Sequence, residues 1–267
     1  MNKFALKKMS DGRVMLNLAC GERYHAEFTN LDYYCLRNYR YKILNHIAYS
    51  LKLISKEILE RADRIISDVY FWDLRKGIPF KNSTFDVVYC SHFLEHLEKD
   101  KASRFLDECY RVLKANGILR IVVPDLEKLA LAYVLACKSI SENINLMKEH
   151  ELAGINLIDQ MVRKDRGGET DKLNKDYNDR SVIRFVIKRL FSKSRTAEKI
   201  GEIHKWMYDR HSLRTLLEKS GFMNINMYDA FTSGINGWSR YSVDVNKDGS
   251  IYKPESLYME GIKPSMG

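Results

Sequence analysis

The sequence predicts an α/β chain: a doubly wound, mostly parallel sheet with helices on both faces and a helical insertion after the fifth strand. Three observations predict it. Short apolar runs alternate with segments of helical period. Turn residues stand where each strand should hand over to the next element, as in Ala19-Cys20-Gly21 and Lys76-Gly77-Ile78-Pro79-Phe80. After the fifth apolar run comes a long stretch of helical pattern with a polar centre. Alternation of strands and helices is what a parallel sheet requires, because each crossover must return along a face of the sheet.

Taken in order, Val14 to Leu18 reads as a buried strand, and Thr29 to Asp32 as a short second one. From Tyr41 to Ile66 the apolar residues Ile43, Ile47, Leu51, Ile54, Ile58 and Ile65 fall at helical spacing. Val69 to Leu74 is a third strand and Phe85 to Cys90 a fourth. Lys101 to Leu113 is an amphipathic helix with Phe105, Leu106, Cys109 and Leu113 on one side, and Asn116-Gly117 is its stop signal. Ile118 to Val123 is the fifth strand, stopped by Pro124. The insertion runs over residues 126–203, with a mobile polar centre from Arg163 to Arg180. His211 to Ser220 is a helix closed by Gly221, Met223 to Tyr228 a sixth strand, and one further strand lies near Tyr258. The whole is one domain, 1–267, carrying its insertion as a lid or membrane-surface element.

Composition bounds the function. The net charge of +9, from 44 basic and 35 acidic residues, favours anionic partners. The basic residues are spread along the chain and no RNA-binding motif is visible, which argues against nucleic acid. No apolar run approaches the roughly 20 residues of a spanning helix, and Met1 to Arg13 lacks a signal-peptide core. Cys20, Cys35, Cys90, Cys109 and Cys137 are odd in number and scattered, as reduced thiols of a cytoplasmic chain would be.

In a doubly wound sheet, ligands sit beyond the carboxyl ends of the strands. Those ends hold Ala19 to Glu22, Asp32, Asp73, Ser91 to His96, and Pro124-Asp125. Small residues at Ala19 to Gly21 let backbone approach a ligand. A carboxylate at Asp32 suits ribose hydroxyls, and one at Asp73 an adenine amino group, or each is simply a turn aspartate. The run Asn17-Leu18-Ala19-Cys20-Gly21, then Leu31-Asp32, Asp73-Leu74, Ile78-Pro79-Phe80, and Ser83-Thr84-Phe85-Asp86-Val87-Val88-Tyr89 leading to Ser91-His92-Phe93-Leu94-Glu95-His96-Leu97, resembles the type 11 methyltransferases of the class I superfamily. Tyr110-Arg111-Val112-Leu113-Lys114-Ala115-Asn116-Gly117 is similar to that group's turn before its fifth strand. The resemblance implies a Rossmann-like fold and S-adenosyl-L-methionine as cofactor, held by Asn17, Ala19, Cys20, Gly21, Asp32, Asp73, Leu74 and Ser91. The chain departs from the group's pattern in having Asn17 for an acidic residue, Ala19 for the first glycine and Ala115-Asn116 for a Pro-Gly pair. The spacing from Gly21 to Asp32 also leaves little room for the group's first helix. The tail Tyr252-Lys253-Pro254-Glu255-Ser256-Leu257-Tyr258-Met259-Glu260 resembles a branch associated with bacterial surface polysaccharides, which implies O-methylation of a saccharide or lipid-linked saccharide.

Methyl transfer to a hydroxyl needs an aligned acceptor and a base for its proton. His92 and His96 are the candidate bases, with Glu95 to orient either. His204, Trp206 and Tyr208 are candidate acceptor contacts. His92-Phe93-Leu94-Glu95-His96 also matches the H-x-x-E-H pattern of inverted zinc peptidases. That site needs an established helix and a third ligand, whereas the motif here follows a strand, so no metal is expected. Two alternatives stand beside the enzyme: a non-catalytic binding module of the same fold, and an RNA methyltransferase. Finally, Val182 to Phe191 has Ile183, Val186, Ile187 and Leu190 on one helical face, with Arg184, Lys188, Arg189, Lys193 and Arg195 in or beside it. Such a helix lies on an anionic membrane surface or packs as a lid; the first would bring the chain to the inner face of the membrane through residues 182–195.

Overall fold

The computed structural model describes residues 4–33, 42–162 and 203–265. Cys35, the polar centre of the insertion and the expected surface helix lie outside those residues. The chain divides into two compact units: one of residues 1–94, 100–123 and 210–267, the other of residues 95–99 and 124–209.

The first unit is built on seven strands: β1 (Met15–Leu18), β2 (Thr29–Asp32), β3 (Val69–Phe71), β4 (Phe85–Ser91), β5 (Leu113–Pro124), β6 (Met223–Tyr228) and β7 (Ser256–Ile262). They lie in the order β3-β2-β1-β4-β5-β7-β6. The ladders from β3 to β5 are parallel, and β6 pairs antiparallel with β7. β1 is buried at every position, as a strand covered on both faces must be. Leu18 pairs with Leu31 on one side and Cys90 on the other, and Ser91 pairs with Val122, so the carboxyl ends of β2, β1, β4 and β5 share one edge.

Residues 19–28 join β1 to β2 through turns and carry no helix, as their spacing predicts. The helical period from Tyr41 to Ile66 resolves into two helices, α1 (Lys42–Ser50) and α2 (Lys56–Asp68). Ser55 starts α2 by accepting the amide of Ile58, and Lys52 between the helices takes a left-handed φ of 56°. The break shifts the buried face. Leu59, Ala62 and Ile65 face inward, whereas Ile47, Leu51 and Ile58, expected in the stripe, are exposed.

α3 (Lys99–Val112) buries Ala102, Phe105, Leu106, Cys109 and Val112. It ends at Val112, not at Asn116-Gly117. The chain passes straight into β5, where Leu113 already pairs with Phe85. Asn116 and Gly117 instead form an irregularity inside that strand, bonded to both backbone groups of Lys263. A side chain at Gly117 would meet Leu113 and the carbonyl of Lys114 at 2.9 Å, so glycine is needed for packing. β3 is shorter than expected, because residues 74–76 wind into a 3-10 turn. After β6, residues 229–244 fold back onto the sheet, placing Ala230, Ile235, Trp238, Tyr241 and Val243 in a cluster with Met15, Phe28, Val87, Tyr89 and Val122.

The second unit contains α4 (Leu126–Glu142) and α5 (Met147–Val162), joined by a 3-10 turn over Ile144–Leu146. Asp125 caps α4 by accepting the amides of Glu127 and Lys128. The first unit also holds α6 (Arg210–Lys219). No helix among the described residues is long and apolar enough to cross a membrane. Cys20, Cys90 and Cys109 are buried cysteines outside any disulfide, and Cys137 is a partly exposed one.

Candidate functional site

In the first unit the sheet order reverses at β1: β2 and β3 lie on one side, β4 and β5 on the other. A crevice opens at such a switch point because successive crossovers leave in opposite directions. The two segments leaving it are Ala19 to Gly21 after β1 and His92 after β4. Both enter through a non-glycine residue in the left-handed region, Ala19 at φ 50° and His92 at φ 51°. Such conformations cost free energy and gather at functional sites.

The β1 turn is tightly held. The Gly21 amide donates to the Asp32 carboxylate at 2.9 Å, and the Cys20 amide to the carbonyl of Leu31. Gly21 has φ 53°, and among the described residues no atom beyond its chain neighbours lies within 4 Å of where a side chain would begin. Cys20 is buried against Ile65 of α2 and Val69 of β3, which fixes the turn from below. Asn17 is fully buried. Its amide nitrogen donates to the carbonyl of Arg23 at 2.9 Å and to the Asn30 side chain at 3.1 Å. Its oxygen has no hydrogen-bond partner among the described residues. Asn30 donates in turn to the carbonyls of His25, Phe28 and Asp68. Arg23 lies over the ring of Tyr252 and donates to Val245 and Asn246. A polar network thus braces the loop that a helix would otherwise support.

Asp73 behaves as a turn aspartate. It accepts the Arg75 amide at 3.0 Å and binds the Arg75 guanidinium at 2.7 and 2.8 Å. That hydrogen bonding holds its carboxyl below the usual range. Leu74 begins the 3-10 turn that follows, and Ser91 ends β4, both partly exposed.

His92 does not sit on a helix, so the metal geometry of the H-x-x-E-H pattern is not formed. Its Nε2 lies 3.0 Å from the hydroxyl of Ser256 at the start of β7. Ser256 donates to the carbonyl of Lys253, so its oxygen is the acceptor toward His92. Nε2 therefore carries the proton, and Nδ1 is the basic nitrogen of the neutral ring.

The second unit holds the other candidate histidines, His96 and His204. Glu95 and His96 lie in a 3-10 turn, Leu94–His96. The backbone carbonyl of Glu95 accepts the amides of Lys205 at 2.7 Å and Trp206 at 3.2 Å. His96 Nδ1 meets the carbonyl of Ile203 at 3.2 Å. These bonds bring the His96 and His204 rings to 4.8 Å, edge to face. Trp206 carries the ammonium of Lys99 over its ring at 3.6 Å. Tyr208 pairs with Asp125 as an isolated bridge and is buried. Desolvation, with the Glu95 charge behind it, pushes its phenol up to about 12. The three expected acceptor contacts therefore share one unit and one backbone segment.

Two residues escape a reading of the sequence. Arg120 lies within the fifth apolar run with no signal of its own, yet it is wholly buried and joins Asp244 and Glu260. Ser256, which fixes the tautomer of His92, lies in the tail with no signal in its spacing.

Residues 16–121 match a protein family described as the methyltransferase domain. Among curated proteins, an uncharacterised protein of Methanocaldococcus jannaschii is 29% identical over 154 residues, 57% of this chain and 60% of the relative. The aligned part thus spans under two thirds of that relative's length. Among solved structures, a SAM-dependent methyltransferase from Archaeoglobus fulgidus is 13% identical, with 93% of this chain and 85% of the other covered at a TM-score of 0.39. The YcgJ protein of Bacillus subtilis is 14% identical, with 94% and 92% covered at 0.40. Residues 16–121 of this chain are thus similar in sequence to a methyltransferase domain.

Proposed function

We propose that the chain is an S-adenosylmethionine-dependent methyltransferase that methylates a hydroxyl of a saccharide or lipid-linked saccharide. One observation carries the cofactor reading: the glycine turn at the switch point, open above Gly21 among the described residues, with the Asp32 carboxylate held 2.9 Å from the Gly21 amide. These residues fit the cofactor. Asp32 offers acceptors to ribose hydroxyls at the end of β2, and the turn keeps backbone clear of the ligand. Asn17 retains one acceptor oxygen of the carboxylate that the methyltransferase pattern places there. Asp73, bound to Arg75, shapes the turn of residues 72–77 in this reading and acts on the ligand through that shape.

When bound, the cofactor supplies a methyl group on a sulfonium sulfur, an electrophile that needs no activation by the protein. The protein's share is alignment and proton removal. His92 leaves β4 beside that turn, with Nε2–H spent on Ser256 and Nδ1 basic, so its role is to take the proton of the acceptor hydroxyl at Nδ1. The saccharide class is supported by the tail sequence alone.

The test is calorimetry of cofactor binding. Asp32→Ala should weaken it by about 1–3 kcal/mol, the cost of losing a charged acceptor. Asp73→Asn, which keeps the turn-capping oxygen, should change it by less than about 1 kcal/mol. No binding by the unaltered chain would favour a non-catalytic module; binding unchanged in Asp32→Ala would remove that carboxylate from the site.

A further inference from the structure

We propose that Glu95, His96 and His204 bind a divalent first-row transition-metal ion, reversing the expectation from sequence that no metal is present. One ligand atom from each residue lies within 4.8 Å of the others. Ligands about 2.0–2.2 Å from an ion stand about 3.4 Å apart in a tetrahedron, so the three ligand atoms need to close by up to about 1.4 Å.

Four features favour a metal over a packing contact. The donor set, two imidazoles and one carboxylate, suits zinc, manganese or iron, whose nitrogen and oxygen preferences it matches. The His96 ring is oriented as ligating rings are. Its Nδ1 faces a backbone carbonyl, which can only accept, so Nδ1 carries the proton and Nε2 the lone pair. The backbone fixes the group: the two amides that follow His204 along the chain, those of Lys205 and Trp206, both donate to the Glu95 carbonyl. Finally, Glu95 is wholly removed from water and His204 is 8% exposed. A divalent ion held between them supplies positive charge that offsets the burial of a carboxylate.

The inference differs from the H-x-x-E-H reading of the sequence. His92 takes no part, since it is bonded to Ser256. The third ligand comes from His204, far along the chain, which only the fold brings back. Three protein ligands leave a coordination position open, the arrangement in which a metal binds an oxygen and lowers its pKa. Metal binding stands independently of the methyl-transfer reading.

The experiment is zinc and cobalt(II) titration of the chelator-treated full-length protein, without S-adenosylmethionine. Saturation at one ion per chain is expected, with the visible cobalt spectrum of a nitrogen- and oxygen-ligated site. His96→Ala and His204→Ala should each weaken binding on the order of 100-fold or more, and His211→Ala, on the exposed face of α6, should leave it unchanged. Absence of saturable binding, or equal affinity in both variants, would overturn the proposal. If a variant does not fold, X-ray absorption of the zinc-loaded unaltered protein decides: two imidazoles with oxygen support it, and sulfur or an all-oxygen shell refutes it. Because the cofactor is absent throughout, failure here leaves the methyltransferase reading standing, and loss of cofactor binding leaves this one.

Discussion

Arg120→Met should be among the most destabilising single changes in the first unit. Arg120 lies in β5 opposite Tyr89 and is wholly buried. Its guanidinium donates to Asp244 Oδ2 at 3.0 and 3.1 Å, to Glu260 Oε1 at 2.6 Å, and to the carbonyls of Asp229 and Thr232 at 2.7 and 3.1 Å. Asp244 also accepts from Tyr89 and Trp238, and Glu260 from Ser233 and Gly234. Methionine fills much of the volume but leaves two carboxylates, 3% and 4% exposed, without their cation. Breaking a buried pair by removing one partner costs about 3–5 kcal/mol. Two acids share this cation, so the upper end is expected. The fall is a large part of the roughly 5–15 kcal/mol that holds a domain together. At about 2–4 °C per kcal/mol it moves Tm by on the order of 10 °C. Arg120→Lys should recover part of the loss, since an ammonium keeps the charge but cannot span both acids and both carbonyls. Urea unfolding followed by circular dichroism measures both. A loss under about 1 kcal/mol in Arg120→Met, with unchanged m-value, would refute the reasoning.

Burial pushes the phenols of Tyr208 and Tyr258 up to about 12. A folded pKa above the unfolded value near 10 stabilises the protonated form, so this contribution is whole below about pH 10 and is lost as pH rises through about 12. Urea midpoints should therefore fall across that window, and less steeply in Tyr208→Phe and Tyr258→Phe; equal slopes would count against it. His92→Gln should lower turnover about 10²- to 10⁴-fold while cofactor affinity stays within a factor of about three. Ser256→Ala should lower turnover less, by loosening the ring, and shift the pH profile of the reaction. Normal turnover in His92→Gln would leave alignment as the whole of the protein's contribution.

The strands are legible in the sequence because buried parallel strands are apolar almost throughout, and β1, β4 and β5 are such runs. The helices are legible in type and not in extent. From Tyr41 to Ile66 the period is continuous in sequence, but Lys52 turns in a left-handed conformation and Ser55 offers a cap at which a second helix starts. Asn116-Gly117 carries the composition of a helix stop. Its real use is steric, since glycine there lets β5 pass Leu113 and pair with Lys263. Arg120 gives no sign of its role because a charge in a strand is ordinarily outward. Its partners, Asp244 and Glu260, stand more than a hundred residues away, beyond the reach of any local pattern.

The histidine segment shows where local reading ends. Residues 92–96 fit two known patterns at once, and the choice between them rests on backbone geometry. A metal shared by His92 and His96 needs both on one helical face, four residues apart. Instead β4 runs to Ser91, His92 turns in a left-handed conformation, and residues 94–96 form a single 3-10 turn. The two imidazoles are thereby parted in role. His92 is tied to Ser256, with its basic nitrogen set by that bond, and His96 is tied to Ile203 with the opposite nitrogen protonated. In the roles proposed above, one short motif supplies a base to the first unit and a ligand to the second. The zinc peptidase pattern fails at His92, but the failure does not extend to His96, whose companion is His204. Spacing alone cannot propose that pair, because the bonds that hold it run from the Glu95 carbonyl to the amides of Lys205 and Trp206.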